Sequence, residues 1–320
     1  MNRLTVIVVA RERFSAACRS LKSLLESSAE PFDLIYVDSG SPRRFRARLR
    51  RAAAENRLQL IETEPGMGSN QARNLGLMRA QTPYVVFLDN DVVVGPGALE
   101  GLVRCADETG AWLVGPLYLQ GAPGEGRIHM AGGESRIVKQ DGKRRLQESD
   151  RMGGRRLSEL DAPLERSSTD LLEFHCLLAR REVFDTIGLL DEELLSIRDQ
   201  DDLCLEVRAA GGSLYLEPSA WVSYLPPPPI LPSDRRYYEL RWSRPWIERS
   251  LRHFHRKWDL DITLEDPHYD WLWGRADLWK RQFLQPGGLV RRLRDGLRDP
   301  APRRMGCGAP APPRTGPAGG

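Results

Sequence analysis

The run LTVIVVA at residues 4–10 is short and dominated by β-branched residues, the pattern of a buried strand. Apolar groups then recur at helical spacing over Ala16–Leu25, and Phe32–Val37 forms a second short apolar run. The turn residues Asp38-Ser39-Gly40-Ser41-Pro42 close that run. A basic helix is predicted at about 43–56, a strand at Leu58–Glu62, a loop entering a helix over Gly66–Ala80, and a fourth strand at Tyr84–Leu88. Strands alternating with helices predict an α/β fold: a mostly parallel, Rossmann-like sheet covered by helices on both faces.

The order loosens after Val94. Residues 121–168 are rich in Gly, Arg and Ser and read as loops or hairpins. Regular patterns return at Leu171–Leu178, in the helical RREVFDTIG segment, in the DQDDLCLEVRAAG segment, and at the strand Ser213–Glu217. LPPPPILP at 225–232 excludes a central strand or helix, so 226–232 reads as a Pro-rich connector. Beyond it, 233–298 reads as an aromatic, helical extension that carries six of the eight tryptophans. Residues 299–320, rich in Pro, Gly and Ala, read as a disordered tail.

Composition changes this picture little. The chain is 41% hydrophobic and 28% charged with a formal charge of +3, which gives no global pull toward nucleic acid. The basic runs at 43–51 and 291–304 read as solvated helix faces, with a nucleic-acid or anionic-membrane contact as the other, less favoured reading. Five widely spaced cysteines with no CxxC pair point to reduced thiols and a cytoplasmic protein, and away from a zinc site. No apolar run is long enough to cross a membrane, and the N-terminal one reads as a strand and not a signal peptide.

The candidate chemistry lies at strand ends. In YVVFLDNDVVV, residues 84–94, an apolar strand runs into Asp89-Asn90-Asp91. An isolated Asp-x-Asp reads first as a turn whose side chains bond their own backbone. Directly after a buried strand, however, the pair needs a positive partner, because a buried uncompensated charge is costly. Two carboxylates one residue apart suit a hard cation, Mg²⁺ or Mn²⁺, which in turn neutralises a diphosphate. No GxGxxG follows the first strand and no GxxxxGK[ST] occurs, which removes the usual NAD and P-loop readings.

TVIVVARER, YVDSGS and GMGSNQARNLGLMRAQTPYVVFLDNDV together resemble the nucleotide-sugar half of the inverting glycosyltransferases with the GT-A fold, of the large family 2 type. EFHCLLARREVFDTIGLLDEELLS and RDQDDLCLEVRAAGGSLYLEPSAWVSY look like that family's acceptor half. The resemblance implies a domain over 1–225, with a donor half at about 1–95 and an acceptor half at about 96–225. It implies metal-dependent, inverting transfer of a sugar from a nucleoside diphosphate, of UDP-sugar type, to a carbohydrate or lipid-linked hydroxyl. By the same resemblance Ala10, Glu12, Asp38, Arg73, Asn74 and Asp89 bind the donor, Asp38 through the base. Asp91 and Asp89 form the metal site, Asp191 and Glu192 flank the acceptor, and Asp199, then Asp201, is the catalytic base.

Two departures stand out. Gln200 replaces an acid of the family's Glu-Asp-x-Asp run and cannot take a proton at neutral pH. Tyr224 stands where a histidine ligand is common, leaving His129 and His175 as stand-ins or as hydrogen-bonded core residues. Asp202 reads as the cap of a helix over Leu203–Ala210. The spacing of Trp242, Trp246, Leu251, Phe254 and Trp258 fits core packing better than a sugar-stacking platform. A sugar nucleotidyltransferase is the rival reaction class, although VVARERFSA lacks the glycines of a triphosphate loop. A catalytically silent nucleotide-sugar binding protein is the rival outside enzymes.

Overall fold

In the computed structural model the first apolar run becomes β1 (Leu4–Val9), every residue of it buried. Helix α1 (Ala17–Ser27) leads to β2 (Asp33–Asp38), α2 (Arg43–Ala54) to β3 (Gln59–Glu62), and α3 (Ser69–Leu77) to β4 (Tyr84–Asp89). Next come β5 (Val92–Val94), α4 (Ala98–Thr109) and β6 (Leu113–Gln120). The Gly- and Arg-rich stretch forms β7 (Arg127–Met130) and the hairpin of β8 (Gly133–Gln140) with β9 (Lys143–Asp150). Then follow β10 (Ser167–Thr169), β11 (Cys176–Arg180), α5 (Val183–Ile187), α6 (Asp199–Ala209) and β12 (Leu214–Tyr224). Helices α7 (Pro232–Arg241), α8 (Arg244–Lys257) and α9 (Asp270–Trp273) complete it. The structure describes residues 2–281 except 56, 123, 196, 227–228, 262–263, 265–268, 276 and 279–280. The tail expected at 299–320, the end of the extension and part of the Pro-rich connector lie outside the described residues.

The main sheet has the order β10-β12-β6-β11-β4-β1-β2-β3. β4, β1, β2 and β3 pair in parallel, as the βα alternation predicts. β11 enters antiparallel between β4 and β6, and β12 is parallel to β6. The last strand is longer than the expected Ser213–Glu217: a register shift between Glu217 and Trp221 lets it run on to Tyr224. α3 lies close on β1, and a Cβ at Gly76 would come within 2.4 Å of Ile7 Cγ2, so glycine sets the approach that brings Arg73 to the strand ends.

The extension packs on the main domain through its own cluster, in which Tyr238, Trp242, Ile247 and Leu251 meet Ile197 and Ile230. Phe254 joins Leu194 and Leu205. Those positions are core, as their helical spacing indicates. Among the described residues no helix is long and apolar enough to cross a membrane.

Candidate functional site

Strand direction gathers the candidate residues. β1, β2 and β4 end at one edge of the sheet, which places Ala10, Asp38 and Asp89 there. β11 runs the other way, so its start lies at the same edge: Cys176 pairs with Leu88, and Asp89 N–H donates to the His175 carbonyl at 3.2 Å.

Asp89 is fully buried and compensated by the protein itself. Arg11 Nη1 lies 3.2 Å and His175 Nδ1 3.1 Å from Oδ2, and Arg73 Nη2 lies 3.4 Å from Oδ1. Burial would raise the Asp89 carboxyl, but Arg11, His175 and Arg73 together push it down to about 2. Asp89 therefore has positive partners within the protein, two guanidinium groups and an imidazole, beside any metal. Asp91 differs. Both of its oxygens are buried without a hydrogen-bond partner, and burial, with Asp89 and Glu12 nearby, pushes its carboxyl up to about 8. Of the two acids, Asp91 alone fits a cation that the surrounding side chains do not replace.

Arg73 links the two halves of the domain. Its guanidinium stacks 3.6 Å over the Phe174 ring, meets Asp89, and donates from Nη1 to Asn70 Oδ1 at 2.9 Å and Asp199 Oδ2 at 2.6 Å. Asn74 is buried beside Arg73 on α3. Its amide bonds the Leu190 carbonyl, the Leu190 N–H and Glu192 Oε1 at 2.8, 3.0 and 2.9 Å, pinning the loop before α6. Asp191 is tied to α8 through His253 Nε2 at 2.8 Å and Lys257 Nζ at 2.9 Å. Asp38 is buried, with Oδ1 accepting from Ser41 N–H at 2.8 Å and Oδ2 from Arg46 Nε at 3.2 Å. The Arg46 side chain is 34% exposed, so it has room to move aside for a base. Glu12 accepts from Tyr224 Oη at 2.9 Å and Arg275 Nη2 at 3.2 Å, and the Ala10 carbonyl accepts from Tyr237 Oη at 3.3 Å.

α6 begins at Asp199, with Asp199, Asp201 and Asp202 in its first turn, where the helix dipole favours negative charge. Asp202 does not cap a later helix: the helix starts three residues earlier, and Asp202 binds Lys257 Nζ at 2.7 Å and Trp258 Nε1 at 2.8 Å. Burial opposes ionisation of Asp199, but Arg73 and Arg241 outweigh it and keep its carboxyl below the ordinary range. Its Oδ1 is buried with no hydrogen-bond partner. Asp201 is raised well above the ordinary range by burial and by Glu148; Arg198, whose backbone takes the left-handed conformation (φ +66°), pairs with both acids.

Some of these groups line a cavity of about 420 Å³, walled by Arg11, Glu173, His175, Asp201, Tyr224 and Arg241 among others; Asp89, Asp91 and Asp199 lie outside its lining. Arg241 is buried and donates to Ser69 Oγ at 3.0 Å; burial and the charge of Arg11 lower its pKa, which leaves positive charge here for an anion to balance. His129, Glu173 and His175 offer ligand atoms that all lie within 4.8 Å of one another. Tyr224 stacks on His175 at 4.2 Å. Sequence reasoning missed Arg11, Glu148, Glu173, Arg241 and Arg275 as members of the site. Arg11 had a usable signal, as a cation directly after the first buried strand. Arg241, Arg275 and Glu148 reach the cavity through tertiary packing alone.

The comparisons agree with this geometry. Residues 5–188 match the domain described as Glycosyl transferase family 2. The chain is 27% identical over 222 residues to a pre-mycofactocin glycosyltransferase of Mycobacterium tuberculosis, covering 69% of this chain and 42% of that protein. It is 26% identical over 214 residues to the uncharacterized protein y4gI of Sinorhizobium fredii, covering 65% of this chain and 23% of that protein. The chain thus spans less than half the length of these curated relatives. Among solved structures, GalNAc-T7 with UDP, GalNAc and Mn²⁺ shares the fold at TM-score 0.52 and 18% identity, over 85% of this chain and 58% of that one. S. aureus TarS 1–349 with UDP-GlcNAc shares it at TM-score 0.51 and 16% identity, over 91% and 76%. The architecture is that of the GT-A fold, and the chain belongs to glycosyl transferase family 2.

Proposed function

We propose that this chain is a glycosyltransferase that moves a sugar from a nucleoside diphosphate, of UDP-sugar type, to an acceptor hydroxyl with inversion. The observation that carries the reading is the Asp89–Arg73–Asp199 bridge, which joins the end of a buried strand in the donor half to the start of a helix in the acceptor half. The UDP and UDP-GlcNAc bound by the two structural neighbours support the donor class.

Asp38 accepts from the base, and Arg11 and Arg241 face the diphosphate across the cavity. Asp91 would hold a divalent cation, Mn²⁺ or Mg²⁺, which when bound would supply charge neutralisation for the leaving diphosphate. Asp199, ionised and with Oδ1 free, takes the proton of the acceptor hydroxyl as its oxygen attacks the anomeric carbon on the face opposite the diphosphate. Asp191 and Glu192 position the acceptor side through the loop that Asn74 and Lys257 hold. One observation favours a second assignment of the base: Asp201 lines the cavity and shares its site with Glu148.

The experiment is turnover of a nucleotide-sugar panel with Mn²⁺, followed as nucleoside diphosphate release. Asp199→Asn is expected to lower turnover by a factor of about 10²–10⁴, the range of general-base catalysis. Full turnover in Asp199→Asn with loss in Asp201→Asn moves the base to Asp201. Release from no donor at all overturns the reading.

A further inference from the structure

The three side chains His129, Glu173 and His175 lie beyond the Asp89 pair, on the side of the cavity lined by Tyr224. His129 sits on β7, which folds back on β6, and Glu173 and His175 flank Phe174 just before β11. Their positions are fixed by the surrounding chain. Tyr118 Oη lies 3.0 Å from the carbonyl oxygens of both Glu173 and Cys176 and accepts the Glu173 N–H at 3.1 Å, so one buried hydroxyl holds the whole turn. Phe174 between them is buried under Arg73.

The facing atoms converge. Glu173 Oε2 is shielded from solvent and lies 3.0 Å from His129 Nε2 and 3.6 Å from His175 Nε2, and its contact with His129 is an ion pair that a bound cation would replace. The other nitrogen of His175, Nδ1, faces Asp89 Oδ2 at 3.1 Å. Asp89 Oδ2 lies behind Nδ1 at ion-pair distance, without a hydrogen bond of acceptable geometry, and Nε2 turns toward Glu173, so the carboxylate stands where an outer group would orient a histidine ligand. His175 is 1% exposed, and its imidazole is clamped between Asp89 and the stacked Tyr224 ring.

We infer that His129 Nε2, Glu173 Oε2 and His175 Nε2 form a cation site of their own, for a borderline transition metal of the Zn²⁺ class. Two imidazoles and one carboxylate select such an ion over Mg²⁺, for which all-oxygen ligands are preferred. Asp89 belongs to this site as the outer carboxylate on His175, and Asp91 does not. The remaining coordination positions open on the cavity. That they receive an oxygen of the donor or acceptor rests on the glycosyl-transfer reading; the binding of the ion does not.

The test uses the intact chain and the metal alone. Titration with Co²⁺ is expected to give the visible absorption bands of a site with nitrogen ligands, and Zn²⁺ is expected to displace it and to raise the melting temperature. His129→Ala and Glu173→Gln, both at partly exposed positions, should each weaken Zn²⁺ by at least about tenfold, with folding checked by circular dichroism. Asp91→Asn should leave Zn²⁺ affinity within about threefold, because that carboxylate lies outside the set. No Co²⁺ bands and no Zn²⁺ binding by the parent, parent-like Zn²⁺ affinity in Glu173→Gln, or loss of Zn²⁺ in Asp91→Asn would each overturn the assignment. Nucleotide binding measured on the same samples separates failure of the metal site from failure of the proposed function.

Discussion

A carboxyl group sealed from water with no donor in reach keeps its proton, and Asp91 is in that position. Its native pKa is pushed up to about 8, against about 3.9 in an unfolded chain. Between those values the native state binds the proton and the unfolded state has lost it, so this group's contribution to stability falls as pH rises from about 4 to about 8. Asp91→Asn, neutral at every pH, removes that slope. In chelator-containing buffer the parent's loss of melting temperature from pH 5 to pH 8 should shrink by a few degrees in the variant; an unchanged pH dependence would show that Asp91 is ionised and paired. Asp89, two residues away, behaves in the opposite sense. Its carboxyl is held at about 2, so its contribution is present above about pH 4 and is lost as pH falls toward 2. The spacing of these acids was plain in the sequence, but their difference was not. It depends on Arg11 and Arg73, which reach Asp89 and leave Asp91 without a hydrogen bond.

At the scale of elements, α3 and the extension fix the site. Gly76→Ala places a methyl within 2.4 Å of Ile7 Cγ2 and forces α3 off β1. We expect a loss of about 1–3 kcal/mol in denaturant unfolding, as for an overpacked core, together with weaker nucleotide binding because Arg73 shifts. Stability at the parent's level would contradict that close approach. Lys257 is the matching device on α8: its ammonium meets Asp191, Asp202 and Glu206 at 2.9, 2.7 and 2.8 Å. Lys257→Met leaves three acids facing one another and should cost about 1–3 kcal/mol, less at acid pH, where Asp202 and Glu206, both raised above their ordinary values by burial, take up protons first. The β1–α1–β2–α2–β3–α3–β4 half was legible because period-2 and period-3.6 patterns alternate cleanly there. The β8–β9 hairpin was legible only as loops or hairpins, since its polar residues carry no apolar alternation. The start of α6 was misplaced because three aspartates hide a helix whose first turn they stabilise through the dipole.

Over the whole molecule, whose formal net charge is only +3, arginines from distant segments meet, with acids among them, where the main domain and the extension pack together. Arg11, Arg73, Arg198, Arg241 and Arg275 gather around one crevice from five different segments. Composition does not reveal that concentration, and the fold creates it. Under the proposed function an anion fills the crevice, and the strand-end carboxylate Asp38 would then select what the anion carries. The most direct measurement is calorimetric titration of the intact chain with UDP, compared with Asp38→Ala and Arg241→Ala. Binding by the parent, with at least about a tenfold loss in each variant, is the expected result. No binding of UDP or any other nucleoside diphosphate, or parent-like affinity in both variants, would contradict the account.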